Sequence, residues 1–287
     1  MGKIRFCPGA AIWICMAALA AGSKALAAGD KESPEPSMPR LIQATTLEED
    51  YKAVVSLGLT GTYLLEEEDA GLAFDSVLCS CVRIRTKGHF GSGSIFWMDE
   101  KEIIIVTNRH VLTYWDEDSY VTFFNGAAAS ASLLGVSGET DVGFLRVSVE
   151  GFSYEELLSF HSVRIPGQAG RVSGGGKKGG RGAGPEEGTG FFMVDMASDQ
   201  YHPGMEEGKV ISPYILLEGF GKEMLYGTGN AVPGMSGSGV FDYYGNYLGM
   251  VTGGNLLGEI AAVPAQDILA AYGCLKDESV FENDWES

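Results

Sequence analysis

Cysteine, histidine and basic residues are all scarce in this chain of 287 residues, which has 5 Cys, 4 His and 20 Lys plus Arg against 38 Asp plus Glu. Each scarcity narrows the functions open to it. The deficit of basic residues leaves a formal charge of −18, and removing the first 27 residues, which carry Lys3, Arg5 and Lys24 but no acid, takes this to −21. A surface of that sign repels phosphate backbones, so nucleic acid is not an expected partner. Cys7 and Cys15 lie in an N-terminal apolar segment, which leaves Cys79, Cys81 and Cys274. Cys79 and Cys81 stand two apart on an expected strand, point to one face and are poorly placed to bridge each other. Buried free thiols are one reading of them, and a bridge from Cys274 to either is the other. Cys-x-Cys has no second cluster of ligands beside it, and His89, His161 and His202 are scattered, so no metal or other cofactor is implied. There is no internal repeat.

Apolar runs are short apart from one. Residues 1–28 carry Lys3 and Arg5, then an apolar stretch through Ile12, Trp13 and Met16, then small residues ending Ala25-Leu26-Ala27-Ala28. This is a secretory signal pattern, and it points to a secreted or otherwise extracytoplasmic protein. If left uncleaved, the same segment would be a signal anchor and a membrane tether. Residues 29–45 are rich in Ser, Pro, Glu and Lys and read as a disordered linker.

Glycine, by contrast, is abundant, with 41 residues, and 45% of the chain is hydrophobic. Many tight turns with enough apolar material for a core suit antiparallel β structure. Residues 46–75 form an N-terminal extension, in which Thr46-Leu47-Glu48-Glu49 is a capping box ahead of a short helix. That helix is either packed on the domain behind it or a spacer. Strands are expected from Ser76 to Ile84, Gly91 to Met98, Glu102 to Val106 and Tyr120 to Phe124, followed by an Asn125-Gly126 turn. Further strands are expected at Ala127–Val136, Val142–Val147, Gly190–Asp195, Lys209–Leu217 and Gly245–Thr252, with a helix at Ala265–Leu275. Gly167 to Gly190 is crowded with glycine and reads as a mobile loop, its four basic residues being too few for a nucleic-acid arm.

The most informative stretch is Gly234-Met235-Ser236-Gly237-Ser238-Gly239. A serine between glycines can sit on a tight bend where a substrate carbonyl approaches and backbone N–H groups converge. Its hydroxyl needs a histidine base that a carboxylate orients. Candidates lie upstream, in Thr107-Asn108-Arg109-His110-Val111 and in Thr140-Asp141-Val142-Gly143-Phe144-Leu145. The α/β-hydrolase alternative requires Gly-x-Ser-x-Gly and the order Ser, Asp, His, and it fits neither the loop nor the order here.

In this order, behind the glycine-rich strand Gly91-Ser92-Gly93-Ser94, these motifs make the chain resemble the trypsin-like (chymotrypsin-fold) serine peptidases. The likeness runs from about residue 76 to 275 and is nearest the compact bacterial branch of HtrA-type and glutamyl-endopeptidase-type enzymes. It implies two six-stranded antiparallel β-barrels, about 76–160 and 190–264, a short C-terminal helix and an acidic tail over 276–287. That tail is too short for the PDZ module of HtrA-type proteins. It also implies a serine endopeptidase acting on polypeptide substrates, with catalytic His110, Asp141 and Ser236 and an oxyanion hole of the Gly234 and Ser236 N–H groups. The alternative is a catalytically idle member of the fold used for binding or sensing. By the same register, Ser238 lies two beyond the nucleophile, and Asn230, Thr252, Gly254 and Ile260 line the substrate pocket. Thr252 would also offer its hydroxyl to Asp141, and Glu259 would reach the pocket only if this register slipped by one. Val111 replaces the disulfide that flanks the histidine in the animal enzymes, and Met235 replaces the aspartate that pairs with a newly cut N-terminus.

Overall fold

The computed structural model describes residues 45–166, 184–198 and 202–276. The expected signal segment, nearly all of the linker, most of the glycine-crowded segment and the acidic tail lie outside the described residues.

Thirteen strands make two sheets among the described residues. The first holds β1 (Cys81–Thr86), β2 (His89–Met98), β3 (Glu102–Thr107), β4 (Tyr120–Phe123), β5 (Ala128–Ser130), β6 (Ser132–Val136) and β7 (Gly143–Ser148), in the order β5-β4-β1-β2-β3-β7-β6. Ala131 interrupts what the sequence suggests is one strand. β5 pairs with β4 at one edge of the sheet and β6 with β7 at the other, so the break carries the chain from edge to edge of a sheet curled into a half-barrel. The second sheet is a closed six-stranded barrel of β8 (Gly190–Asp195), β9 (Gly204–Leu217), β10 (Lys222–Thr228), β11 (Gly239–Asp242), β12 (Tyr247–Gly254) and β13 (Glu259–Pro264). The chymotrypsin-like two-barrel expectation therefore holds.

Why certain strands are apolar without alternation follows from where they lie. In β3, Ile103 and Ile105 enter the first barrel, while Ile104 and Val106 enter a second core between the barrels. In β8, Phe191 and Met193 fill the second barrel, and Phe192 and Val194 face the same inter-barrel core. Successive side chains point to opposite faces of a strand, so a strand buried on both faces must be apolar throughout. Each such fully buried side chain is worth about 1.5–3 kcal/mol of transfer free energy. The inter-barrel core is thus what fixes the cleft between the two halves.

The chain before the first barrel differs from expectation. Ser76 and Val77 belong to helix α2 (Ala70–Val77), not to a strand, and Leu78–Ser80 is a 3-10 turn, so β1 starts only at Cys81. The Asp69 side chain accepts from the Leu72 N–H at 2.8 Å and starts α2, which presses Ala73 and Val77 into the inter-barrel core. Burial of one helical face outweighs the β propensity of Val77. Cys79 therefore lies in the turn and Cys81 on the strand, and Cys79, Cys81 and Cys274 are all free thiols. Burial pushes the Cys79 and Cys81 thiols up to about 12, which keeps them protonated and unreactive.

Helix α1 (Leu47–Ser56) has the expected capping box between Thr46 and Glu49. It packs on the first barrel rather than acting as a spacer, burying Tyr51, whose hydroxyl donates to the Asp99 carbonyl at 2.6 Å. The strand-like run after it bonds to both halves: Thr62 N–H donates to Ser162 O, and Leu65 N–H to Tyr244 O. Helices α3 (Arg109–Leu112), α4 (Tyr154–Ser159) and α5 (Ala265–Lys276) complete the fold. In α5, Ile268 and Ala271 cover the inter-barrel core.

Candidate active site

His110 lies in α3, a single helical turn that begins where the ladder of β3 ends at Thr107. Asp141 sits two residues before β7, and because β3 pairs with β7 through Thr107 and Gly143, the two side chains are delivered to the same end of the first barrel. There His110 Nδ1 and Asp141 Oδ2 lie 2.7 Å apart, and the His110 backbone N–H donates to Asp141 Oδ1 at 3.0 Å. Both carboxylate oxygens are engaged, so the imidazole is fixed in position and orientation.

The second barrel adds a further contact. Thr252, on β12, donates its hydroxyl to Asp141 Oδ2, as the register suggested. Buried Asn108 fastens the pair from beneath, its amide donating to the Thr252 hydroxyl and to the Asp141 carbonyl, each at 3.1 Å. Burial disfavours the Asp141 charge, but the bonds from His110 and Thr252 outweigh it and hold the carboxyl below its ordinary value of 3.8. The carboxylate stays ionised and faces the imidazole, ready to stabilise an imidazolium.

Ser236 stands on the loop that leads into β11. Gly237 beside it adopts φ +90°, and a Cβ there would come within 1.9 Å of the Ser92 carbonyl oxygen and 2.6 Å of the Thr107 hydroxyl. Only glycine fits this approach, which is how the loop comes to press on β2. The two barrels are stitched together here. Ser92 N–H donates to Ser236 O at 2.8 Å, Ser92 Oγ to Gly234 O at 2.9 Å, and Thr107 Oγ1 to Ser92 O at 2.7 Å. From the other side, Gly237 N–H donates to Val251 O. Met235 is fully buried in the apolar interior of the second barrel, so hydrophobic packing anchors the loop where an ion pair would otherwise have to.

Among the described residues, no hydrogen bond engages the backbone N–H of Gly234 or of Ser236. These two N–H groups thus have no protein partner, and the Ser236 hydroxyl itself forms no hydrogen bond among the described residues and so is not bonded to His110 here. Ser238, the rival serine, is 2% exposed and donates to the Val194 carbonyl at 2.9 Å, which removes it from the cleft.

The four expected pocket residues do not all meet. Gly254 pairs with Ile260, and Ile260 also closes on Gly229, so these two line one surface of the second barrel. Thr252 is taken up by Asp141, and Asn230 is exposed. Glu259 lies on the opposite face of β13 from Ile260 and accepts from Asn255 Nδ2 at 2.6 Å. Beside His110, the methyls of Val111 lie 2.5 Å from where a Cβ on Gly91 would be, an apolar contact where a disulfide staple is absent. Sequence reasoning missed Asn108 and Ser92. The Thr-Asn pair ahead of Arg109-His110 was a signal for the first; nothing local singles out Ser92 among its neighbours Gly91, Gly93 and Ser94.

Residues 91–250 match the family model of the trypsin-like peptidase domain. No curated protein matches the chain. Among solved structures, the chain is similar to the inactive form of a mutant of Rv3671c from M. tuberculosis H37Rv, at 13% identity and TM-score 0.54, covering 76% of this chain and 98% of that one. It is also similar to the serine endoprotease from Yersinia pestis, at 17% identity and TM-score 0.57, covering 74% of this chain and 68% of that one. Identities this low establish the shared fold and nothing finer.

Proposed function

This chain belongs to the trypsin-like peptidase family, and we propose that it is an exported serine endopeptidase working through His110, Asp141 and Ser236. The observation that carries this reading is the doubly bonded His110–Asp141 pair on the first barrel, with the Ser236 loop of the second barrel bonded to Ser92 and leaving the Gly234 and Ser236 N–H groups without a protein partner. In the proposed reaction the peptide carbonyl enters between those donors and Ser236 Oγ attacks its carbon while His110 Nε2 takes the hydroxyl proton. The carbonyl π pair moves onto oxygen, where the Gly234 and Ser236 N–H groups hold it; one such donor is typically worth on the order of 3 kcal/mol in the transition state. Collapse expels the amine, which receives the proton from His110, and leaves an acyl-Ser236 ester. Water, activated by His110, then hydrolyses that ester and restores the serine.

Export rests on the signal pattern of residues 1–28, and the same segment, if retained, would tether the enzyme to a membrane. The domain boundaries proposed are the extension over 46–75 and the peptidase domain over 76–275, with α2 and its turn now the entry to the first barrel. Gly254 and Ile260 are proposed to shape the acyl side of the cleft, where the absence of a carboxylate from the four expected pocket positions disfavours Arg and Lys.

One observation favours the idle, binding-module reading: the Ser236 hydroxyl is not bonded to His110. Catalytic hydrogen bonds commonly tighten only when substrate is bound, so this gap fits an empty working site as well. Digestion of an unbiased peptide library decides between them. Cleavage by the wild type that falls by several orders of magnitude in Ser236→Ala, with unchanged folding, is the expected result. No cleavage by well-folded wild type, or cleavage that survives Ser236→Ala, would overturn the proposal.

A further inference from the structure

Within a strongly acidic chain, the outer face of the first barrel carries a compact cationic and aromatic surface that starts at the nucleophile loop. In the antiparallel pairing of β1 with β2, Arg83 stands opposite Ser92 and Arg85 opposite Phe90, while in β1 with β4 Arg85 stands opposite Tyr120. Residues paired this way share a face. Ser92 on that face is the residue that bonds Gly234 and Ser236, so the row runs outward from the nucleophile through Phe90 to the two arginines. The Arg83 guanidinium lies 4.3 Å from the centre of the Phe90 ring, and that of Arg85 lies 5.5 Å from the same ring and 5.8 Å from that of Tyr120. Phe90 is nonetheless 46% exposed. Lys87 is exposed at the tip of the same hairpin, and His89 stacks on Tyr114, four residues beyond His110.

The acids nearest in sequence form no ion pair with Arg85 or Lys87 among the described residues. Asp116, Glu117 and Asp118 lie on the turn between Tyr114 and Tyr120, and the Asp116 carboxylate accepts from the Ser119 hydroxyl. Among the described residues the Arg85 guanidinium donates to the Tyr120 hydroxyl, at 3.3 Å. Stacking on aromatic rings holds the Arg85 guanidinium in place while leaving its outer N–H donors to a carboxylate.

Resting on the proposed peptidase reading, we infer that this surface receives the leaving-group half of the substrate and selects acidic side chains there. The acyl half is assigned to Gly254 and Ile260 on the second barrel, so a peptide that has crossed Ser236 leaves along the other side, over Ser92 and Phe90. An extended chain advances about 3.4 Å per residue, so Phe90 and its cationic neighbours fall opposite the second and third residues beyond the cleaved bond. Apolar contact with the Phe90 ring positions the segment, and charge-assisted bonds to Arg85 and Lys87 favour Asp or Glu over neutral or basic residues.

The test uses peptides identical up to the cleaved bond, carrying Asp, Asn or Lys at the second and third positions after it. For wild type at low salt, kcat/KM is expected to rank Asp above Asn above Lys, with about tenfold between the extremes, and to lose most of that spread in high salt as the charges are screened. The double variant Arg85→Glu, Lys87→Glu should reverse the ranking and the milder Arg85→Gln should flatten it, each read as a ratio within one protein so that any general loss of activity cancels. An equal rate on all three peptides, unaffected by salt and charge reversal while cleavage still depends on Ser236, overturns the inference and leaves the peptidase reading standing. Failure to cleave any of the peptides, together with no reaction of Ser236 with an acylating probe, removes both.

Discussion

The two barrels contribute to the site by different physical means. The first supplies His110 and Asp141 from the ends of β3 and β7, strands held by a six-pair ladder and buried on both faces by Ile103 to Val106. Its side chains are held in place by regular secondary structure. The second supplies Ser236 from a loop whose shape depends on missing side chains, with Gly234 at φ +97° and Gly237 at φ +90°. One half is rigid through what its residues bury and the other through what its glycines leave out. The prediction is that the loop is the more fragile half under small substitutions, and that residues bridging the halves, Ser92, Asn108 and Thr252, have intermediate effects.

The largest effect is expected at Gly237. In Gly237→Ala the added methyl meets the Ser92 carbonyl at 1.9 Å with no flexible atom to yield, at a backbone angle that costs a non-glycine residue about 1–3 kcal/mol besides. Hydrolysis should fall by at least about a hundredfold, the scale on which a small displacement of reacting groups matters. Wild-type rates in Gly237→Ala would show that the loop is more pliable than the contrast allows.

A smaller effect is expected at the bridge. Thr252→Val keeps the shape but removes the hydroxyl from Asp141 and an acceptor from the Asn108 amide, groups buried enough that an unmatched polar atom costs about 1–3 kcal/mol. kcat/KM should drop about tenfold with little change in fold. Measured beside Thr252→Ser, which restores the hydroxyl, the variant separates the hydrogen bond from the packing.

The smallest effect concerns acid stability. Because the folded Asp141 carboxyl lies below its ordinary 3.8, its ionised form stabilises the folded state above that value, and the contribution disappears as pH falls through the folded value. Denaturant titrations below about pH 4 should therefore show wild type losing stability more steeply than Asp141→Asn. Parallel acid limbs would mean that the His110 and Thr252 bonds do not hold in solution.

How much of this was legible in the sequence tracks the same contrast. His110, Asp141 and Ser236 stand out because short motifs surround them, and β8 matched its expected span because apolar residues bounded by glycines leave little choice. The start of β1 was misplaced because Ser76 and Val77 alternate like a strand, and only the Asp69 cap and the burial of Ala73 make them helical. Helix α4 escaped notice although Ser153 and Glu156 form a capping box that could have announced it. β10 was missed because its outward residues Lys222 and Glu223 and the glycine at 227 blunt the apolar signal. Asn108 and Ser92 tie the two barrels together through partners more than a hundred residues away, Thr252 and Gly234, and no local pattern encodes such pairs.

The central claim is that Ser236 is a nucleophile activated by His110, and covalent labelling with a fluorophosphonate, read by peptide mass spectrometry, tests it most directly. A single phosphonylated residue, Ser236, is expected in wild type, with a rate of labelling lower by several orders of magnitude in His110→Ala. Absence of label on folded wild type, or label on Ser238 instead, would contradict it.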